Sequence, residues 1–367
     1  MDANRARSTL GVLVVGVGFL GSRRAKAAQR ANGSRLVALF DADASVARRE
    51  SARLGVPAVG SLNEALDLPA VDIVIVSTPN ADHDDVIRRA FEAGKHVLCE
   101  KPLTIDPDEG RELALRADEL GLRFSVGFNH RYYPPVRDAL HLVADWAIGR
   151  VESVRATIGH KASADFLAGW HADRAVSGGG TLMDNGPHAC DLVRKFLGEV
   201  GAAQGYVRDS IGLPWGIESE AFAQFRNHER GVAEVRSSWT LESGYLSLEV
   251  RGSGGFLCVE TAPWRLYGRL VDGSKIERRY LGLRIHEKLY QRAFGCETSL
   301  VAELNDFVLA ISREPSGLCA SAWDGCRVSE MIDAVYRGAA GCSEVLLSPP
   351  IVYTPHSRRL ARGVERS

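Results

Sequence analysis

The feature that most constrains this chain is a regular alternation between residues 10 and 129, where short runs of Val, Ile and Leu are separated by stretches of helical periodicity. The runs Gly11–Val15, Leu36–Asp41, Val71–Ser77, His96–Cys99 and Phe124–Phe128 read as strands, with helices around 19–32, 45–54, 83–94 and 107–121. Strands that are apolar almost throughout belong to a parallel sheet covered on both faces, because a strand with one wet face alternates. Right-handed crossovers follow, so the expectation is a doubly wound α/β Rossmann domain over residues 1–128.

Beyond residue 128 the texture changes. Val151–Ile158, Glu220–Phe225, Val232–Trp239, Leu246–Arg251 and Arg265–Val271 alternate and follow one another with few helices between them, which reads as an antiparallel sheet. One helix is expected over roughly 181–197, further helices at 298–313 and 321–338, and a two-residue turn at Asp272-Gly273. This second, α+β domain is placed at 129–355. The first eight residues and the arginine-rich tail at 356–367 are read as frayed ends, the tail disordered.

Length and charge then exclude whole classes of function. At 367 residues the chain exceeds what one core usually supports. Its 45 basic and 46 acidic side chains leave a net charge of -1, with no footprint for nucleic acid or an anionic membrane. The expected partner is a small molecule. The apolar run from Leu10 to Gly21 is broken by four glycines, lacks an A-x-A cleavage pattern and is read as a first strand and its turn. Nothing approaches the ~20 apolar residues that span a bilayer. The seven cysteines are scattered without a C-x-x-C pair, so a reduced cytoplasmic compartment and no metal site are expected.

Gly16-Val17-Gly18-Phe19-Leu20-Gly21 closes the first strand and opens the first helix, which is where a G-x-G-x-x-G pattern has a physical purpose. Gly16 permits a tight turn, Gly18 lets backbone approach a pyrophosphate, and Gly21 lets helix pack on strand, while the helix N-terminus offers N–H donors to the anion. Phe19 and Leu20 lie within this loop. Asp41 ends the second strand about 20 residues on, where a carboxylate accepts the adenosine-ribose hydroxyls. Asp43 adds negative charge and no arginine is evident, so NAD is expected over NADP; the competing reading is that Asp41 only caps the next helix.

Two more strand ends complete the edge where ligands of open α/β sheets bind. Ser77-Thr78-Pro79-Asn80, followed by His83, terminates what is read as the fourth strand, and Cys99-Glu100-Lys101-Pro102 the fifth. Lys101 is a single cation at the edge where a nicotinamide would lie. A solvated surface lysine is the plainer alternative.

With these residues, Gly127-Phe128-Asn129-His130-Arg131 and the run from Gly178 through Asp184 to His188 with Asp191, the sequence resembles the glucose–fructose oxidoreductase / inositol dehydrogenase / rhizopine-catabolism (Gfo/Idh/MocA) family over nearly its whole length. The resemblance implies a Rossmann domain joined to an open-faced, mainly antiparallel sheet that makes homodimers or homotetramers. It implies NAD held by Gly16, Gly18, Phe19, Leu20, Asp41, Ser77, Thr78, Asn80, His83, Glu100, Lys101 and Asn129. It also implies that Lys101 polarises the reacting oxygen and that Asp184 and His188 form the D-x-x-x-H pair, His188 as proton acceptor.

The residues themselves suit that chemistry. Oxidising a secondary alcohol sends a hydride to the nicotinamide and a proton to a base, and an ordinary imidazole is matched to neutral pH. Asp184, four residues before His188, would share a helical face with it unless Pro187 starts the helix. A satisfied helix histidine and a capping aspartate are the plainer readings. Asp191 is expected to make a structural hydrogen bond. Trp170 and His171 are candidate substrate contacts, and Arg131 is a further one. Around 260–295, Tyr280, His286 and Tyr290 are candidates for shaping the pocket. The expected activity is an NAD-dependent dehydrogenase acting on a secondary hydroxyl of a polyol, cyclitol, sugar or sugar-nucleotide. The alternatives are a glycosidase that retains NAD and works by transient oxidation and elimination, or a non-catalytic NAD-binding regulator.

Overall fold

The computed structural model describes residues 9–350 other than Glu314, so the expectations for the first eight residues and for the tail at 356–367 lie outside the described residues. The first sheet runs in the order β2-β1-β3-β4-β5, all parallel, from β1 (Leu10–Val15), β2 (Ser34–Phe40), β3 (Ile73–Val76), β4 (His96–Cys99) and β5 (Phe124–Val126). Every residue of β3 is buried, as a strand covered on both faces requires. The crossovers carry α1 (Phe19–Ala28), α2 (Ala44–Leu54), α3 (Leu62–Leu66), α4 (His83–Glu92) and α5 (Pro107–Leu120). Their ends are written in the sequence. Asp43 caps α2 by accepting from the Ser45 and Val46 N–H groups, Asp106 caps α5 with Pro107 behind it, and left-handed Gly55 and Gly121 stop both helices.

The strands ending at Ser77 and Cys99 are the third and fourth of this sheet, not the fourth and fifth. Between β2 and β3 the chain makes only an isolated parallel bridge, Leu39 to Ala58, so the five strands are those of the five apolar runs.

The second sheet has nine strands in the order β13-β12-β11-β10-β6-β9-β8-β7-β14. They are β6 (Val151–Lys161), β7 (Val200–Arg208), β8 (Glu220–Asn227), β9 (Val232–Ser238), β10 (Thr240–Gly252), β11 (Phe256–Thr261), β12 (Trp264–Arg269), β13 (Lys275–Arg279) and β14 (Val345–Leu346). β6 and β9 pair in parallel and the other neighbours are antiparallel, so the sheet is mixed. The connection from β12 to β13 is longer than the expected two-residue turn: the Leu270 N–H donates to the Ser274 carbonyl across a loop that contains Asp272 and Gly273, with Gly273 at positive φ.

Helices α6 (Pro134–Ala144), α7 (Ala164–Leu167), α8 (Arg174–Ser177), α9 (Thr181–Asp184), α10 (Gly186–Leu197), α11 (Leu283–Phe294), α12 (Thr298–Ser312) and α13 (Ala322–Gly341) complete the chain. α10 and α13 cover one face, burying Leu192, Val193, Phe196 and Val335 against Val154, Ala156 and Ile158. The other face stays open, with Tyr206, Phe222 and Val232 exposed. α12 returns to the first sheet, where Leu304 and Phe307 share a core with Val12, Val14 and Ile73.

The helix expected over 181–197 is broken. α9 ends at Asp184 and α10 begins at Gly186, with Pro187, which has no N–H to give, in the first turn of α10.

Candidate active site

A cleft of about 930 Å³ runs along the carboxyl edge of the first sheet and continues under β6 and α7 of the second domain. At one end lie Gly16, Gly18, Phe19, Leu20 and Asp41, then Ser77, Thr78 and Asn80, then Lys101, and at the far end Asp184, Trp170 and His171.

The glycine loop meets the steric demands placed on it. Gly16 has φ +79°, and a Cβ there would sit 2.6 Å from the Ser77 carbonyl oxygen; one on Gly21 would sit 1.8 Å from that of Gly16. A Cβ on Gly18 would meet nothing within 4 Å, so this is the position whose backbone faces open cleft. Asp41 anchors the loop by accepting from the Val17 N–H at 2.7 Å and the Asp43 N–H at 2.9 Å. Capping of α2 therefore falls to Asp43, and Asp41 is left at the cleft. The Ser77 and Thr78 hydroxyls line the same space and are buried without a partner. Buried hydroxyls rarely stay unpaired, so open backbone at Gly18, two orphaned hydroxyls and a carboxylate fit a dinucleotide. Asn80 reaches across to the second domain, donating to the Ser177 carbonyl at 2.8 Å.

Two expected cofactor contacts act indirectly. His83 is fully buried, with Nδ1 3.0 Å from the Pro102 carbonyl and Nε2 3.1 Å from that of Thr78, so both nitrogens face backbone carbonyls and the one N–H of the neutral ring donates to one of them. It ties the ends of β3 and β4 together. Glu100 touches the cleft, but its carboxylate is engaged by Arg24, which also holds Glu303. Burial pushes the Glu303 carboxyl up to about 7, with the Arg24 charge opposing it.

Two further expectations are corrected. Asn129 is turned away, donating to the Ser299 hydroxyl at 2.9 Å. Arg131 is 1% exposed and does not reach the cleft: its guanidinium is paired with Asp191 and Asp324 and bonded to the Leu318 carbonyl. A buried arginine has to be neutralised, and α10 and α13 supply the carboxylates. Asp191 is thus structural, as expected.

At the junction of the domains Lys101 Nζ donates to the Asp184 carbonyl at 2.6 Å and to its Oδ1 at 3.2 Å. Asp184 Oδ2 accepts from Trp239 Nε1 at 2.9 Å and Asn185 Nδ2 at 3.1 Å. Burial pushes this carboxyl up, but the Lys101 charge and the indole donor outweigh it and hold it below the usual carboxylate range. The pair is a fixed ammonium and an ionised carboxylate at the inner end of the cleft.

His188 sits behind this wall. Its ring stacks on His130 at 3.9 Å and 14°, with Phe128 edge-on, and it is 8% exposed. Nδ1 is buried without a partner. Burial, with His130, Lys101 and Arg24 adding to it, holds the imidazole well below its ordinary value, so it is neutral at pH 7. The break at Asn185 removes the expected shared helical face, and His188 itself is not among the residues lining the cleft.

The substrate end contains residues that sequence reasoning did not single out. His171 is sandwiched between Phe166 at 3.8 Å and Trp170 at 4.0 Å, and Phe166 meets His160 and Trp239 edge-on. His160 contacts Asn185 at 3.3 Å. His160 and Trp239 stand at the carboxyl ends of β6 and β9, a signal that becomes readable only once those two strands are known to be parallel neighbours. Tyr280 lies elsewhere, donating to Asp138, and Tyr290 packs against the buried cluster of Ala27, Cys296 and Leu300. Among the described residues no group of three His, Cys, Asp or Glu is placed to hold a metal ion, and no helix is long and apolar enough to cross a membrane.

Comparison with known proteins places this architecture. Residues 10–128 match the oxidoreductase family with an NAD-binding Rossmann fold, and residues 136–258 match the GFO/IDH/MocA C-terminal domain. Over 236 residues the chain is 30% identical to 1,5-anhydro-D-fructose reductase of Ensifer adhaerens, covering 62% of this chain and 69% of that protein. It is 26% identical over 337 residues to inositol 2-dehydrogenase of Rhizobium meliloti (strain 1021), covering 89% and 96%. Among solved structures, levoglucosan dehydrogenase in complex with NADH superposes with a TM-score of 0.81 at 24% identity, covering 92% of this chain and 99% of that one. The chain belongs to the Gfo/Idh/MocA family of oxidoreductases, and its first domain is an NAD-binding Rossmann fold.

Proposed function

We propose that the protein is an NAD-dependent dehydrogenase oxidising a secondary hydroxyl of a polyol, cyclitol, sugar or sugar-nucleotide, or reducing the corresponding ketone. The observation that carries this reading is the Lys101–Asp184 pair, a fixed cation at the end of a cleft whose other end is built for a dinucleotide. Bound NAD supplies the hydride acceptor. Lys101 Nζ stabilises negative charge on the substrate oxygen, and ionised Asp184 holds that side chain in place. His188 is the proton acceptor in this reading. It is neutral, but burial holds it well below its ordinary basicity and its ring stands behind the cleft wall, so this role requires the imidazole to reach the substrate oxygen once cofactor and substrate are bound. Trp170 and His171 offer a flat aromatic edge to a sugar ring. Asp41 favours NAD over NADP, because a 2′-phosphate would meet its carboxylate. The open face of the second sheet supports association with further copies of the chain, a point light scattering decides.

The test is a panel of cyclitols, hexoses and nucleotide sugars, screened by melting-temperature shift with NAD present and then followed at 340 nm. One or more should produce free NADH, and Lys101→Ala should abolish turnover while NAD still binds. Product formation without NADH would favour the NAD-retaining glycosidase, and full turnover in Lys101→Ala would remove the mechanism.

A further inference from the structure

Two of the three consecutive glycines that precede α9, Gly179 and Gly180, are explained by two residues that the proposed chemistry does not use. Glu218, 4% exposed, lies just before β8. Its Oε2 accepts from the Gly180 N–H at 2.9 Å, and its Oε1 from the Leu182 N–H at 2.8 Å and the Tyr336 hydroxyl at 2.9 Å. Its own carbonyl accepts from the Thr181 N–H at 2.9 Å. The fit leaves no slack. A Cβ on Gly180 would sit 1.9 Å from the Glu218 carbonyl oxygen, and one on Gly179 would sit 2.1 Å from the Tyr336 hydroxyl. Burial raises the Glu218 carboxyl, and the two N–H groups and the tyrosine oppose that.

α9 is a single turn, too short to hold itself in place. Its first N–H groups are satisfied by Glu218, and its last residue is Asp184, whose carbonyl and carboxylate both receive Lys101. The position of the pair is therefore set from behind, by a carboxylate in the loop just before β8 and a tyrosine on α13.

We infer that Glu218, with Tyr336, is a positioning residue: by clamping the triple-glycine turn it sets where Asp184 meets Lys101, and so sets the rate of the hydride-transfer step without touching cofactor or substrate. This rests on the proposed role of the Lys101–Asp184 pair. An error of about 1 Å at such a pair can cost up to roughly 100-fold in rate.

The test uses the full chain carrying Glu218→Gln, whose amide sets an N–H against one of the two backbone donors, and the milder Tyr336→Phe. Three quantities are measured: kcat and KM with the substrate found above, the isotope effect with that substrate deuterated at the carbinol carbon, and hydrogen exchange over residues 179–185. The expected result for Glu218→Gln is a fall in kcat of about 10- to 100-fold, a larger isotope effect, faster exchange in 179–185, and NAD affinity equal to wild type. Tyr336→Phe should change the same quantities in the same direction by less. A fall in kcat that only tracks the folded fraction, with isotope effect and local exchange as in wild type, overturns the inference, as does wild-type turnover in both variants. If wild-type protein turns over nothing in the panel, it is the functional reading that fails, and unchanged exchange over 179–185 still refutes the clamp on its own.

Discussion

Glu303→Gln should stabilise the protein in a pH-dependent manner, and the size of the effect can be worked from the buried cluster around Arg24. Arg24 is 1% exposed and holds two carboxylates, Glu100 and Glu303, so with both ionised one negative charge would be in excess in a buried place. Glu303 takes the consequence: burial lifts its carboxyl from 4.5 to about 7, and its Oε1 has no partner. The folded protein thus holds a proton that the unfolded chain releases between those two values. Stability is lost as pH rises through that window, by about 3 kcal/mol once pH exceeds the folded value. Glutamine keeps an oxygen for Arg24 and carries no charge at any pH, so the variant escapes this loss. At about 0.7 kcal/mol/K of unfolding entropy for a chain this long, the gain in Tm over wild type should be about 4 °C at pH 8 and about 1 °C at pH 5. Scanning calorimetry of both proteins at the two pH values is the assay. A Tm difference that is the same at pH 5 and pH 8 would refute the argument that Glu303 carries the proton.

Other consequences follow from single residues. Asp191→Ala leaves Arg131 buried without its main counter-charge and should cost roughly 3–5 kcal/mol; a urea titration showing less than about 1 kcal/mol would contradict that burial. Gly18→Ala should melt like wild type but bind NAD more weakly, whereas Gly21→Ala, whose Cβ would meet the Gly16 carbonyl, should lower Tm sharply. The opposite pattern would mean that the loop does not meet a dinucleotide. Asp41→Ala should weaken NAD and narrow the preference over NADP, and unchanged affinities for both would remove the assignment.

Much of the fold was legible because its signals are local. Short apolar runs marked β1, β3 and β4, and the glycine loop fell at a strand end where Gly16 and Gly21 leave no room for a Cβ. What was not legible depends on partners distant in sequence. Arg131 reads as a site cation until Asp191 and Asp324 fold around it, and His83 reads as a ligand until the Thr78 and Pro102 carbonyls stand opposite its two nitrogens. The four-residue spacing from Asp184 to His188 suggested one helical face, but Pro187 and the break at Asn185 put the aspartate on the cleft wall and the histidine behind it. Trp239 and Glu218 carried no marker at all. Each gains its meaning only from the turn that α9 makes beside β8 and β9.

The most direct test of the account is a crystal structure with NAD and a turned-over polyol or sugar bound together. Lys101 Nζ should lie within about 3 Å of one carbinol oxygen, with that carbon about 3.5 Å from the nicotinamide C4. A nicotinamide ring seated away from Lys101, or a substrate whose reacting oxygen is not met by Lys101, would contradict it.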